Sequence, residues 1–235
     1  PTLSDYFETP EEAVRHYGYL KQVYQSISAK EVYSSYVFPW DCVVLTRSDV
    51  VLKMAYIAWM TNDIRLREEL CTYLPALESY NRASYIGIVL ARTESKVEQE
   101  YVLQSLGDRS ADIRDEAYKV LSEMSLSPEQ YQHIEELLRF KYSEMRINAI
   151  NLLMKQPEAQ LAASIRRLLS DKNAERRLAG LDMMKSIRNV DFLKDSYQKL
   201  LSTVREIQKP NAKEKILIES LIGDGTEQST TSNYT

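Results

Sequence analysis

Seven basic side chains lie between Ile165 and Arg188: Arg166, Arg167, Lys172, Arg176, Arg177, Lys185 and Arg188. Only Asp171, Glu175 and Asp182 oppose them in that run. Guanidinium and ammonium groups at such density can track a phosphate backbone, so the run is the candidate nucleic-acid surface. The competing reading is an ordinary solvated face with same-helix pairs such as Asp182 and Lys185. A second arginine set, Arg114, Arg146 and Arg177, recurs at intervals of 32 and 31 residues. A period-locked arginine suits a structural role, its planar fork bonding an Asp or a carbonyl of its own or the neighbouring repeat.

Other chemistry-bearing residues point to no reaction. Asp108, Asp112, Asp115 and Glu116 cluster at an expected helix start, where the dipole alone favours acids over an acid–base or metal role. His16 and His133 stand apart, and Cys42 and Cys71 lack a neighbouring His or a CxxC spacing. No glycine-rich phosphate loop is present. No catalytic, metal or cofactor residue is therefore assigned. The aromatic residues Tyr33, Tyr36, Phe38 and Trp40 fall where periodicity gives no reason for burial. They are the candidate exposed contacts, whereas most other tyrosines are expected in the core.

Composition narrows the class. The chain has 235 residues, 44% hydrophobic and 27% charged, with only 6 Gly and 7 Pro, which favours helix over a turn-rich β fold. A net charge of −4 argues against a dedicated nucleic-acid binder, although residues 108–205 carry 17 basic against 15 acidic side chains. Two isolated cysteines suit a reducing cytoplasm, and no run approaches the ~18 apolar residues of a membrane span. A start at Pro1 and a polar end at 223–235, expected to be a disordered tail or linker, suggest a fragment of a larger protein.

The elements that would position these residues read as helices. Thr9-Pro10-Glu11-Glu12 is a strong start, and the helix it opens runs to about Ile27. Residues 31–47 read as loop, because no partner strand is evident for their β-branched and aromatic residues. Ser48-Asp49 opens a helix apolar almost all round, the pattern of a centrally packed element. Ile64–Leu77 continues as helix until Pro75 ends or kinks it, and Asn81 caps Arg82–Arg92. From 94 onward helices alternate cleanly: about 94–106, 111–124, a start at Ser127-Pro128, its partner through Leu153, a start at Gln156-Pro157, then Asp171–Ile187, 190–207 and 212–222.

One pattern recurs inside that array: Asp108-x4-Ile113-Arg114-x2-Ala117-x3-Leu121, Met145-Arg146-x2-Ala149-x3-Leu153, and Asp171-x4-Arg176-Arg177-x2-Gly180-x3-Met184. The small central residue permits close helix crossing. A period in this range marks stacked helical repeats. Over residues 94–188 the chain resembles the HEAT-like branch of the armadillo/HEAT superfamily, whose turn Asp, apolar–Arg pair, small residue and aliphatic residue fall on these positions. Phe140 stands where the middle repeat lacks its Asp, and Arg176 fills an apolar slot. The His-Glu pairs that mark metal-dependent hydroxylases of that superfamily are absent.

The resemblance implies an all-α fold, a HEAT-like α-α superhelix forming a short right-handed solenoid of antiparallel helix pairs. Residues 1–93 form a Tyr-rich helical part, with degenerate repeats or a separate cap as alternatives, and 94–222 form the repeats. It is nearly silent on activity. The leading expectation is a non-enzymatic scaffold that holds a protein or peptide on its concave face, with no membrane partner. The alternatives are nucleic-acid binding through 166–188, or a helical regulatory portion of a larger enzyme.

Overall fold

Capping decides where the helices begin. The computed structural model describes residues 6–28, 33–38, 41–141 and 143–223, and among them twelve α-helices. Helix α1 (Pro10–Ser26) starts as its sequence predicts, with Thr9 accepting the Glu12 N–H and proline in the first turn. Helix α2 (Arg47–Thr61) begins one cap earlier than Ser48-Asp49. Thr46 is the N-cap, and it exchanges reciprocal bonds with Asp49, a capping box.

The span expected as one helix over 64–77 is broken. Helix α3 (Ile64–Leu70) ends well before Pro75, which sits in a separate 3-10 turn, Leu74–Ala76. Proline cannot donate to the preceding turn, so it is placed where that donor is not needed. Helix α4 (Ser79–Val89) starts at Ser79, so Asn81 lies inside it rather than capping it.

Residues 33–45 correct the loop expectation. Tyr33–Phe38 and Asp41–Leu45 form an antiparallel hairpin, β1 and β2, with Tyr33 opposite Leu45 and a bulge between Tyr36 and Phe38. The missing partner strand was two residues further along the same segment. Trp40, and the side chains of Tyr33, Tyr36 and Phe38, lie outside the described residues. The other regular elements among the described residues are helical, as expected.

Downstream the helices are α5 (Lys96–Ser105), α6 (Ala111–Glu123), α7 (Pro128–Leu137), α8 (Ser143–Leu153), α9 (Glu158–Leu169), α10 (Ala174–Ile187), α11 (Lys194–Arg205) and α12 (Ala212–Gly223). Serine starts α5 and α7 through side-chain caps at Ser95 and Ser127. Helix α10 starts at Ala174 rather than at Asp171, with Asn173 as its N-cap.

The chain divides into two compact units, Pro1–Met124 and Ser125–Thr235. In the first, α1 packs on α2, α2 on α3 and α4, and α4 and α5 on α6. In the second, α7 packs on α8 and α9, α8 on α10, α9 on α10 and α11, and α10 on α11 and α12. The cores are aliphatic, with Met54, Leu70, Leu74 and Ile86 fully buried in one unit and Ile134, Leu152, Ile165 and Met184 in the other.

The small central residues do what close crossing requires. Ala117, Ala149 and Gly180 are all buried. A Cβ at Gly180 would stand 3.1 Å from the Leu169 backbone nitrogen and 3.2 Å from Leu168 Cβ. Neither atom can swing away, so α9 and α10 touch at backbone distance. At Gly18 of α1 a Cβ would meet nothing within 4 Å. Gly18→Ala should therefore stabilise the protein by about 0.4–1 kcal/mol. Gly180→Val should destabilise it by about 1–3 kcal/mol through overpacking. Denaturant unfolding of both variants checks the opposite signs.

Candidate functional site

The repeat arginines resolve into a structural frame. Arg114 Nη1 donates to the Asp108 carbonyl at 2.9 Å and to the Arg109 carbonyl at 3.1 Å. Arg177 Nη1 repeats this at the same offsets, donating to the carbonyls of Asp171 at 2.9 Å and Lys172 at 2.8 Å. In each case the turn is shaped by the aspartate, whose Oδ1 accepts the N–H two residues on, Ser110 or Asn173. That Asx turn aims two carbonyls at the coming helix. Phe140 cannot make it, and Arg146 bonds elsewhere: Nη1 to the Glu175 carbonyl at 3.0 Å and Nη2 to Asp182 at 2.6 Å, both on α10.

A second set of bonds was not foreseen. Three glutamates are buried in the core, and each meets an arginine. Arg67 on α3 forks onto Glu98 on α5, with Nε to Oε1 at 2.9 Å and Nη2 to Oε2 at 2.7 Å, and Glu98 is fully buried. Arg167 on α9 forks onto Glu135 on α7 at 3.1 and 2.6 Å. Arg177 Nε bonds Glu214 on α12 at 2.7 Å. Glu98 and Glu214 also serve their own helix starts, Glu214 through reciprocal bonds with Asn211 and Glu98 through the hydroxyl of Thr93. A signal was present in the sequence: Ser95-x2-Glu98 and Asn211-x2-Glu214 read as capping boxes.

Three of the seven cations of the candidate basic run belong to this frame. Arg167, Arg176 and Arg177 are paired, Arg176 with Asp171 at 2.8 Å and Glu136 at 3.3 Å. Arg188 Nη1 reaches the Ser220 carbonyl at 3.4 Å. Arg166, Lys172 and Lys185 are exposed. Arg166 lies on α9, Lys172 in the turn that follows it and Lys185 in the last turn of α10.

The acidic cluster is likewise spoken for in part. Asp108 pairs with Arg82 at 3.0 Å and Glu116 with Lys119 at 2.6 Å. Among the described residues no three His, Cys, Asp or Glu side chains converge as a metal set, and no helix is long and apolar enough to cross a membrane.

The tyrosines divide between core and surface. Tyr17 and Tyr85 are buried, and burial, followed by Glu69 and Glu98 respectively, pushes their phenols well above the ordinary value. Tyr6, Tyr19, Tyr56 and Tyr80 are exposed, as is Trp59.

On α2 the outward residues Leu52, Tyr56 and Trp59 follow helical spacing and line a groove of about 260 Å³ against Ser84, Ile88 and Val89 of α4. Tyr56 and Trp59 stand 49% and 47% exposed with ring centroids 6.4 Å apart, and Ile88 is 70% exposed. Leu52 and Tyr56 also border a second groove of about 540 Å³ whose other side is Tyr6, Phe7, His16 and Leu20. Sequence reasoning placed α2 at the centre of the packing and so missed this face.

Among the described residues the protein is thus a helical one with a single hairpin, an ion-paired frame and an apolar face. The sequence matches DUF5724, a family of unknown function, over residues 2–234, and the chain belongs to that family. No HEAT or armadillo repeat family is among the matches. No curated protein and no solved structure matches the chain.

Two outcomes test the frame. Arg67→Met leaves Glu98 buried without its fork and should cost about 3 kcal/mol. The double variant Arg67→Met/Glu98→Leu should recover most of that in urea unfolding. Burial, reinforced by Glu98 and Glu68, pushes the Cys71 thiol up to about 12. The thiolate is the reactive form, so in mildly alkaline buffer iodoacetamide should leave the Cys71 peptide unlabelled in the native protein. It should be labelled only in denaturant, which peptide mass mapping reads.

Proposed function

We propose that the chain is a non-enzymatic protein-binding module built from HEAT-like stacks of antiparallel helix pairs. Support for the stack comes from packing of each helix from α7 to α10 on the next but one in the second unit, and from the shared carbonyl clamps of Arg114 and Arg177. The binding reading is carried by one observation: the outward ridge of α2, Leu52, Tyr56 and Trp59, flanked by two apolar grooves.

The core does not need that ridge. Val50, Val51, Met54, Ala55, Ile57 and Ala58 already bury the inner side of α2. Large aromatic residues left half in water are the groups that gain most when a partner covers them. The surface proposed is therefore the α2–α4 face rather than a concave surface along the repeats. For the nucleic-acid alternative, Arg167, Arg176 and Arg177 are already ion-paired, while Arg166, Lys172 and Lys185 stay exposed.

A random peptide library selected on the full chain should yield binders whose affinity falls at least about tenfold in Trp59→Ala and Ile88→Asp. Unfolding of Ile88→Asp should stay within about 0.5 kcal/mol of the parent, as for other surface changes. Binders indifferent to both substitutions would sink the assignment to this face.

A further inference from the structure

On the first unit a ridge runs between two grooves. Leu52, Tyr56 and Met60 follow one another at four-residue steps along α2, with the α2–α4 groove on one side and the groove toward α1 on the other. Rows at that spacing are the ridges by which helices interlock, each row lying in the groove beside the other helix's row. A surface that carries both a ridge and the groove beside it supplies both halves of that contact. Two copies related by a two-fold axis make it twice.

Charge narrows the occupant. About a two-fold axis a surface meets itself, so a charged centre would set like charges against each other. Among the described residues that line the α2–α4 groove, none is Lys, Arg, His, Asp or Glu. Its polar groups are the amide of Asn81, the hydroxyl of Ser84 and the phenols of Tyr56 and Tyr85. Each of these both donates and accepts, so an identical group can satisfy it. On the α1 side Asp49 and Lys53 stand one turn apart on α2, and a copy brings both signs to that edge. A partner rich in one sign of charge gains nothing from such a face. The 14 acidic against 10 basic side chains of residues 1–107 also disfavour an anionic lipid surface.

We propose, resting on the protein-binding reading above, that the partner of the α2–α4 face is a second copy of this chain. The two copies pair about a two-fold axis, each ridge of Leu52, Tyr56 and Met60 lying in the other copy's α2–α4 groove. Pairing takes Tyr56, Trp59 and Ile88 out of water in both copies at once. The apolar area covered is thereby doubled without any ionisable group entering the centre.

Sedimentation velocity of the full chain over about 1–100 μM is the test. The mass should rise from one chain to two with concentration and stop there, because a two-fold contact closes on itself. Ile88→Asp and Trp59→Ala should each raise the dissociation constant at least about tenfold. Ile216→Asp, at an equally exposed isoleucine on α12 of the other unit, should leave it unchanged. With no ion pair at the centre, the dimer should persist in about 1 M salt.

A single-chain mass at every concentration, with peptides still selected on this face, would overturn the pairing and leave the protein-binding reading intact. The same mass with peptides indifferent to Ile88→Asp would overturn both. A dimer that Ile88→Asp leaves whole, or that salt dissolves, also overturns the pairing. So does a chain that stays single and sediments with phosphatidylserine vesicles unless Ile88 is replaced by Asp.

Discussion

A buried carboxylate must find a cation or it will not stay charged, and that demand orders both units. Apolar packing holds helices together but is non-directional and lets them slide along their ridges. A guanidinium fork on a carboxylate has fixed geometry. Arg67 on Glu98 ties α3 to α5, Arg167 on Glu135 ties α9 to α7, and Arg177 on Glu214 ties α10 to α12. Each bond skips one helix, so each sets the register of helices that have no short connection to set it for them. The pairs are weak as a source of net stability, since desolvation opposes them; their effect is to make one register much better than its neighbours.

The turns obey a related constraint. Backbone carbonyls just before a helix point toward solvent unless something claims them. Asp108 and Asp171 bend the chain so that two carbonyls converge, and Arg114 and Arg177 fill the space between them. The middle repeat shows the dependence by breaking it. With Phe140 in the aspartate's place, Arg146 turns to Glu175 and Asp182 on α10 instead. The same residue type at the same period thus makes two different bonds, decided by a neighbour six positions earlier.

Much of this was legible from residue types. Thr9, Ser95 and Ser127 start helices because a side-chain oxygen there meets a free N–H, which needs only local sequence. The structural role expected of Arg114 and Arg177 follows from period alone. The parts that were not legible depend on distant partners. Glu98 and Glu214 look like ordinary first-turn acids until α3 and α10 bring an arginine over them. The density of cations in 166–188 is a linear count, and folding sends Arg167 and Arg176 to carboxylates on α7. The hairpin escaped because its second strand lay inside the segment read as loop, where alternation over five or six residues is a weak signal.

The α2 face shows where a sequence rule misleads in a useful way. A helix apolar on all sides is normally enclosed on all sides, and α2 is enclosed on one. Six small or aliphatic residues fill its inner side, so Tyr56 and Trp59 are not needed to complete the core. An apolar surplus of this kind has two physical resolutions: a covering element of the same chain, or a covering element of another. Among the described residues the neighbours of that ridge are grooves, not a covering helix. The surplus on α2 is thus a property of the helix's own pattern: its inner residues complete the core and its outer aromatics are left half in water.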